Sequence, residues 1–198
     1  MVRFVLLPSC GQRTVSFRLD AEQTEYLLAL ARRAISEGLG VAAPRTEPPA
    51  RPVDHTSGVF VTIKISGSLR GCIGTMTSDR ALTDLVPEMA KSSAFHDPRF
   101  PPLSREELES ADIEISILSP LTPIIAPEEV VVGTHGILIR NAGRSGVLLP
   151  QVATEYGWSR TEFLEHTCRK AGLQKKAYLK ENVELFVFSA ILCAERDT

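Results

Sequence analysis

A cysteine flanked by glycines and an arginine is the part of the sequence best suited to chemistry. It lies in the hexapeptide 69–74, Leu-Arg-Gly-Cys-Ile-Gly. Because side chains alternate along a strand, Arg70 and Cys72 would share one face, and a guanidinium near sulfur favours the nucleophilic thiolate. Gly71 and Gly74 would leave space beside the thiol for a ligand or another backbone segment. Two hypotheses stay open: a reactive thiol, or a tightly packed hairpin in which Cys72 is a small buried filler.

A second polar segment, residues 96–99, follows the hairpin and offers companion groups for the thiol. Ordinary crossover lengths allow it to fold back toward the hexapeptide. Asp97 could accept hydrogen bonds from loop amides, and Arg99 could bind an anion through two hydrogen bonds. His96 is a candidate for proton transfer, although its neighbour Asp97 is poorly placed to orient it. We favour the alternative in which Asp97 and Arg99 form an internal ion pair that holds the turn.

His135 is the remaining candidate for acid–base chemistry, because it directly precedes a predicted strand, where an imidazole could reach a cleft. A solvated turn residue is the alternative. The four histidines and four cysteines do not cluster at metal-ligand spacings, so no metal site is predicted and any cofactor stays unknown. The candidate catalytic residues are Cys72, His96 and His135, and the candidate substrate-binding residues are Arg70, Gly71, Gly74, Asp97 and Arg99.

A predicted hairpin positions the hexapeptide. Residues 59–65 alternate between aliphatic and other side chains, which indicates a strand. Gly67 and Ser68 are predicted to form a two-residue type II′ turn, with glycine at the position of positive φ. The hexapeptide then returns as the second strand. A helix is predicted to follow from Leu82, kinked or split by Pro87.

Before the hairpin, the capping-box pair Asp20 and Gln23 begins a helix that ends at Gly38. The proline-rich segment 38–58 is predicted to be an exposed linker or long loop. After the hairpin, Ser104 and Glu107 are predicted to cap a short helix in the same way.

The second half of the chain repeats this order of elements. A hairpin over residues 137–149 precedes a helix with a capping box at Ser159 and Glu162. Residues 183–193 are apolar on both faces and are predicted to form one strand in the middle of a sheet. Two strand–strand–helix–strand units with antiparallel sheets covered by helices indicate a two-lobed α+β fold. The predicted divisions are 1–14 as a tail or edge strand, 15–125 as the first lobe and 126–198 as the second lobe.

Composition excludes several classes of protein. The 198 residues are 43% hydrophobic and 23% charged, which is typical of a packed globular chain. No apolar run approaches the roughly 18 residues of a membrane span, and the first residues do not resemble a signal peptide, so we expect a cytoplasmic protein. A net charge of -2 gives no general attraction to nucleic acid or anionic membranes. The basic stretch 169–180 is interpreted as a solvated helix end, so neither partner is expected.

Several ordered motifs make the sequence resemble the AMMECR family, whose prokaryotic members are called AmmeMemoRadiSam system protein A. The hallmark hexapeptide is intact at 69–74. Further matches occur at 94–102, 114–119 and 146–153, and the resemblance spans about residues 15–195. The sequence departs from the family at Tyr178, where tryptophan is common, and this difference is expected to alter a pocket wall or a packing surface.

The resemblance implies a two-lobed α+β structure with a cleft near the hexapeptide. It also implies a pathway shared with a Memo-like protein and a radical S-adenosylmethionine enzyme as partners, and it supplies no substrate. One hypothesis is an enzyme, or an enzyme subunit, that uses Cys72 on a small metabolite in the cleft. The alternative is a binding or adaptor module that holds a small molecule, a nucleotide or a protein without chemistry. A third hypothesis treats the motifs as determinants of the fold alone.

Overall fold

Local signals in the sequence define the ends of the helices. The structure, a computed structural model, describes residues 18–43, 45–53 and 55–195. Capping boxes begin three of the helices in these ranges, as predicted: α1 (Ala21–Gly38), α3 (Arg105–Ser110) and α5 (Arg160–Lys170). The helix α2 (Leu82–Phe95) is continuous through Pro87, and α4 (Pro150–Glu155) starts at a proline, which suits the first helical position.

The strands form two sheets, each in its own compact unit. Within the described ranges the first unit contains residues 18–118 and 191–195, and the second contains Ser119–Ala190. The first unit thus ends before the predicted division at residue 125, and the predicted segment 1–14 lies outside the described residues. The strands are β1 (Val59–Ile65), β2 (Ser68–Thr75), β3 (Ala111–Leu118), β4 (Thr122–Ile124), β5 (Gly136–Asn141), β6 (Arg144–Leu148), β7 (Glu184–Phe188) and β8 (Ala190–Ala194).

In the first unit the sheet order is β2-β1-β3-β8, and helices α1 and α2 pack on the sheet. Alternate aliphatic residues of β1 and β3 are fully buried against these helices, as the period-two pattern requires. They are Val59, Val61, Ile63, Ile113, Ile115 and Ile117. The antiparallel pairs β1–β2 and β1–β3 leave β2 at an edge of the sheet.

The second unit repeats the order of hairpin, helices and strand that is found in the first. Its sheet order is β4-β7-β5-β6, and α5 packs on β5 and β6. In both units a hairpin, two helices and a further strand follow one another, and the second hairpin strand lies at an edge. Both hairpin turns also share a conformation, because Ser66 with Gly67, and Ala142 with Gly143, have positive φ. The fold class is α+β with antiparallel sheets.

Two local predictions were wrong. The first hairpin turn consists of Ser66 and Gly67, with φ of 50° and 77°, so it is a type I′ turn placed one residue earlier than predicted. The segment 183–193 forms two strands in different sheets. The chain leaves β7 at Ser189, whose carbonyl and amide are bonded to the amide and hydroxyl of Ser119 at 2.8 and 2.9 Å.

The proline-rich loop is anchored to the first unit. The Gln23 side-chain amide on α1 donates to the carbonyls of Arg51 and Pro52 at 3.3 and 2.9 Å. Val53 is buried in the core of the first unit. None of the helices in the described ranges has the length and apolar character needed to cross a membrane.

Candidate functional site

Cys72 lies on the edge strand β2 with its side chain half-buried. Its partner on β1 is Thr62, and the Thr62 hydroxyl donates a hydrogen bond to the sulfur at 3.3 Å. Because Val61 and Ile63 point toward α2, Thr62 and Cys72 point to the opposite face of the sheet. The thiol is therefore on the face that α2 does not cover.

The same face carries a buried ion pair on the two neighbouring strands. Glu114 on β3 is the partner of Thr62 in the antiparallel register. The Lys64 ammonium lies 2.7 Å from a Glu114 carboxylate oxygen. Cys72, Thr62 and Glu114 thus form a polar row across three strands. Thr62, Lys64 and Glu114 were not among the candidate site residues. Each occupies the non-aliphatic position of an alternating strand, and this pattern places all three on the face opposite the aliphatic core.

The loop after α2 closes the free edge of β2 at Cys72. The Asp97 carboxylate accepts the Cys72 amide hydrogen at 2.9 Å. Arg99 donates to both Asp97 carboxylate oxygens, from Nε at 2.9 Å and from Nη2 at 2.6 Å, and to the Cys72 carbonyl at 3.2 Å. The favoured alternative, an internal Asp97–Arg99 ion pair, is the arrangement found.

These contacts perturb the ionisation of the loop. The Arg99 guanidinium, helped by the amides of Cys72 and Arg99, holds the pKa of the Asp97 carboxyl well below its usual range, although burial opposes the shift. The hydrogen bond with Asp97 in turn raises the pKa of Arg99, and the Cys72 side chain makes a smaller contribution in the same direction. The guanidinium beside Cys72 is therefore that of Arg99.

Arg70, predicted to lie near the sulfur, is engaged elsewhere. The pairing register shifts between Ile63 and Lys64, so a β-bulge interrupts the alternation beside Arg70, and a bulge re-aims side chains. The Arg70 guanidinium donates two hydrogen bonds to Glu107 at 2.8 and 2.9 Å. This contact, followed by the Ser104 amide, lowers the pKa of Glu107 against the effect of burial. The guanidinium groups of Arg70 and Arg99 both lie over the Phe100 ring.

The two glycines of the hexapeptide serve close packing. A Cβ atom on Gly71 would lie 2.2 Å from the Ser93 carbonyl oxygen of α2. On Gly74 it would lie 2.3 Å from the Val59 carbonyl oxygen and 2.5 Å from the Phe60 ring. Of the two alternatives predicted for this space, a ligand or another backbone segment, the close approach of backbone is the one found at both positions.

Ser93 also ties the hairpin to α2. Its hydroxyl accepts the Ile73 amide hydrogen at 2.8 Å and donates to the Val61 carbonyl at 2.7 Å. It therefore bridges β1 and β2 from a buried position. Ser93 could not be found from the sequence, because no local pattern distinguishes a buried serine that packs on a glycine from a solvated one.

The two candidate histidines occupy different units. His96 is exposed at the end of α2, where its amide donates to the Ser92 carbonyl. Within the described ranges no hydrogen bond joins its imidazole to Cys72. In the second unit, Nδ1 of His135 accepts the Val131 amide hydrogen at 3.2 Å, and the Val131 carbonyl accepts the His135 amide hydrogen at 2.9 Å. Burial lowers the pKa of His135, opposed by a backbone hydrogen bond with Glu129.

The other described thiols differ from Cys72 in burial. Cys168 and Cys193 are buried in the cores of the second and first units. Burial raises the pKa of Cys168 and raises that of Cys193 to about 11. In the ranges that the structure covers, no group of three or more His, Cys, Asp or Glu side chains is placed to hold a metal ion. Tyr178, within the basic stretch, is buried, so its ring is not available for stacking on a base.

These features define a class of protein: two α+β units, each with an antiparallel sheet, and a half-buried thiol on an edge strand of the first. The AMMECR1 family model matches residues 28–193, and the chain belongs to that family. The chain is 40% identical over 190 residues to Protein MK0488 of Methanopyrus kandleri, covering 91% of this chain and 92% of that protein.

A solved structure supports the same fold. The chain is 38% identical over 193 residues to Protein PH0010 of Pyrococcus horikoshii, covering 90% of this chain and 93% of that protein. The crystal structure of the uncharacterized protein PH0010 is similar with a TM-score of 0.81 at 37% identity, over 89% of this chain and 93% of that chain.

Proposed function

We propose that this protein is an enzyme, or an enzyme subunit, in which Cys72 reacts with a small metabolite. The observation that carries the proposal is the half-buried thiol with a hydroxyl donor at 3.3 Å from Thr62. A donor aimed at sulfur stabilises the thiolate that forms when the thiol reacts. The backbone of Cys72 is held by Asp97 and Arg99, and this pre-organisation favours catalysis.

The backbone contacts narrow the class of reaction. Acyl transfer needs donors aimed at a developing oxyanion. The Cys72 amide already donates to Asp97, and the Ile73 amide to Ser93. We therefore propose displacement at an electrophilic carbon rather than acyl transfer. A sulfur–carbon bond forms, the bond to the leaving group breaks, the leaving group departs with the electron pair, and the thiol proton passes to solvent. In a second displacement water attacks the same carbon and loses a proton to solvent, the sulfur–carbon bond breaks, and the Cys72 thiolate departs with the bonding pair, which regenerates the enzyme.

A binding or adaptor module is the second candidate. It is favoured by the lack of an acid–base partner at the sulfur: in the described part of the chain, no imidazole or carboxylate is hydrogen-bonded to Sγ of Cys72. Under this alternative the site would hold a small molecule, a nucleotide or a protein. The Memo-like and radical S-adenosylmethionine partners and the cytoplasmic location implied earlier belong to the proposal under either candidate.

Turnover and binding are separated by one pair of measurements on the wild-type protein and Cys72→Ser. Each is incubated with a defined pool of small carboxylate and phosphate metabolites. Mass spectrometry follows consumption, and thermal denaturation follows stabilisation. The enzyme proposal expects consumption of a pool member by the wild-type protein and none by Cys72→Ser. Stabilisation by a pool member that Cys72→Ser retains, without consumption by either protein, would instead support the binding module.

A further inference from the structure

Two ion pairs lie near Cys72, and in both the carboxylate is more deeply buried than the cation. The Glu114 side chain is 8% exposed and that of Lys64 17%. The Asp97 side chain is 2% exposed and that of Arg99 53%. In each pair the cation is therefore the charge nearer to solvent, and it dominates the potential that solvent feels from that pair, although the pair as a whole is neutral.

Both cations belong to residues that neighbour Cys72, Lys64 on the adjacent strand β1 and Arg99 at the strand edge. Lys64 follows Thr62 by two residues on β1, so it is a diagonal neighbour of Cys72, at a distance that long side chains span. An ammonium has three donors, and Glu114 takes one of them. Arg99 approaches from the strand edge, where it contacts the Cys72 carbonyl.

The third nearby ion pair has the opposite arrangement. The Arg70 side chain is 12% exposed and its partner Glu107 34%. The Arg70 guanidinium is also occupied by two hydrogen bonds to that carboxylate. Arg70, a candidate substrate-binding residue, is therefore less exposed than either Lys64 or Arg99, and its partner carboxylate is the charge nearer to solvent.

We infer that the Cys72 site takes a small electrophile that carries a carboxylate or a phosphate. The anionic group lies against the Lys64 ammonium, and the reacting carbon lies at the Cys72 sulfur. This inference rests on the proposed function and adds the charge of the substrate to it. It predicts that an anionic thiol reagent is favoured at Cys72 over a neutral reagent of similar size.

Iodoacetate and iodoacetamide are a matched pair of probes for this preference. Each forms a sulfur–carbon bond and releases iodide with the bonding electron pair, and they differ in one negative charge. The rates are measured at Cys72 by peptide mass spectrometry, with Cys10→Ser as the background. The ratio of the iodoacetate rate to the iodoacetamide rate in the folded protein is divided by the same ratio in the urea-unfolded chain, which removes intrinsic reactivity.

We expect the normalised ratio to be about three at low salt. It should fall toward one in 0.5 M NaCl, because salt screens the field of the cations. Lys64→Met should lower it to about one, whereas Glu114→Gln should raise it. Lys91→Met is the matched control, because Lys91 is an exposed residue of α2 paired with Glu37, and it should leave the ratio unchanged.

A wild-type ratio of one at low salt, or a ratio that Lys64→Met does not change, would overturn the inference. The salt series needs no Lys64 variant, only the Cys10→Ser background, and so decides the matter even where a Lys64 variant fails to fold. The iodoacetamide rate alone tests the proposed function. If Cys72 reacts fast and selectively with iodoacetamide but the normalised ratio is one, the proposal of a reactive thiol is supported. Only the inference that the substrate is anionic is then refuted.

Discussion

The Asp97 carboxylate accepts the amide hydrogen of Cys72 at 2.9 Å. Its ion-pair partner Arg99 donates to the Cys72 carbonyl at 3.2 Å. Together the two side chains satisfy the groups that an additional strand would bond at this residue, and thereby close the edge of β2 at the thiol. Asp97 is a positioning residue in this account, since it holds the strand that carries the sulfur.

Replacing Asp97 should therefore destabilise the first unit. Asp97→Ala leaves the Cys72 amide without its partner, and we expect the free energy of unfolding to fall by about 2 kcal/mol. Urea denaturation measures the change. Glu88→Ala is the control, because Glu88 and Arg80 form a pair whose side chains are 51% and 48% exposed, and the loss there should stay below about 1 kcal/mol. Equal losses in the two variants would contradict a special role for Asp97.

The depressed pKa of Asp97 makes a prediction about acid stability. Its carboxyl is ionised at a lower pH in the folded protein than in the unfolded chain. Its contribution to stability is thus fully present above the unfolded value of about 3.9 and is lost as the pH falls through it toward the folded value. The free energy of unfolding should fall more steeply between about pH 5 and 3 in the wild-type protein than in Asp97→Asn. Parallel curves for the two proteins would contradict the assignment.

The conformation of the first hairpin turn predicts a substitution that stabilises the protein. Ser66 has a φ of 50°, and asparagine tolerates positive φ better than serine and is preferred in type I′ turns. Ser66→Asn should raise the free energy of unfolding by about 0.5 kcal/mol. Ser68→Asn, outside the turn, should bring no gain. If the turn instead consisted of Gly67 and Ser68, Ser68→Asn would bring the gain and Ser66→Asn would not.

The hydroxyl beside the sulfur should set the reactivity of the thiol. Thr62→Val keeps the shape of the side chain and removes the donor to Cys72, so alkylation of Cys72 at neutral pH should slow by about fivefold. Thr24→Val is a matched control, because the Thr24 hydroxyl is the partner of the buried Cys193 thiol, and Cys72 should react at the wild-type rate. An unchanged rate in Thr62→Val would show that the hydroxyl does not stabilise the reacting sulfur.

Features set by neighbouring residues could be predicted from the sequence. The capping box of Asp20 and Gln23 depends on two side chains three residues apart. The aliphatic alternation of 59–65 depends on residues of a single strand. The return of the segment with Arg99 toward Cys72 could also be anticipated, from its crossover length. What could not be predicted is that Arg70 turns away to Glu107, because the register shift beside it is set by pairing between two strands and not by the local pattern. Ser189 was missed for a similar reason, since its bonds to Ser119 are absent from the local pattern.

The most direct test of the central claim compares the labelling rates of individual cysteines in the folded and unfolded protein at pH 7.5. Iodoacetamide is used on Cys10→Ser, with peptide mass spectrometry as the readout. Cys193, with a pKa of about 11, and the buried Cys168 should each react at least about a hundredfold more slowly than in the unfolded chain. Cys72 should react within about tenfold of its unfolded rate, or faster. Protection of Cys72 equal to that of Cys193 would contradict a reactive thiol at this site.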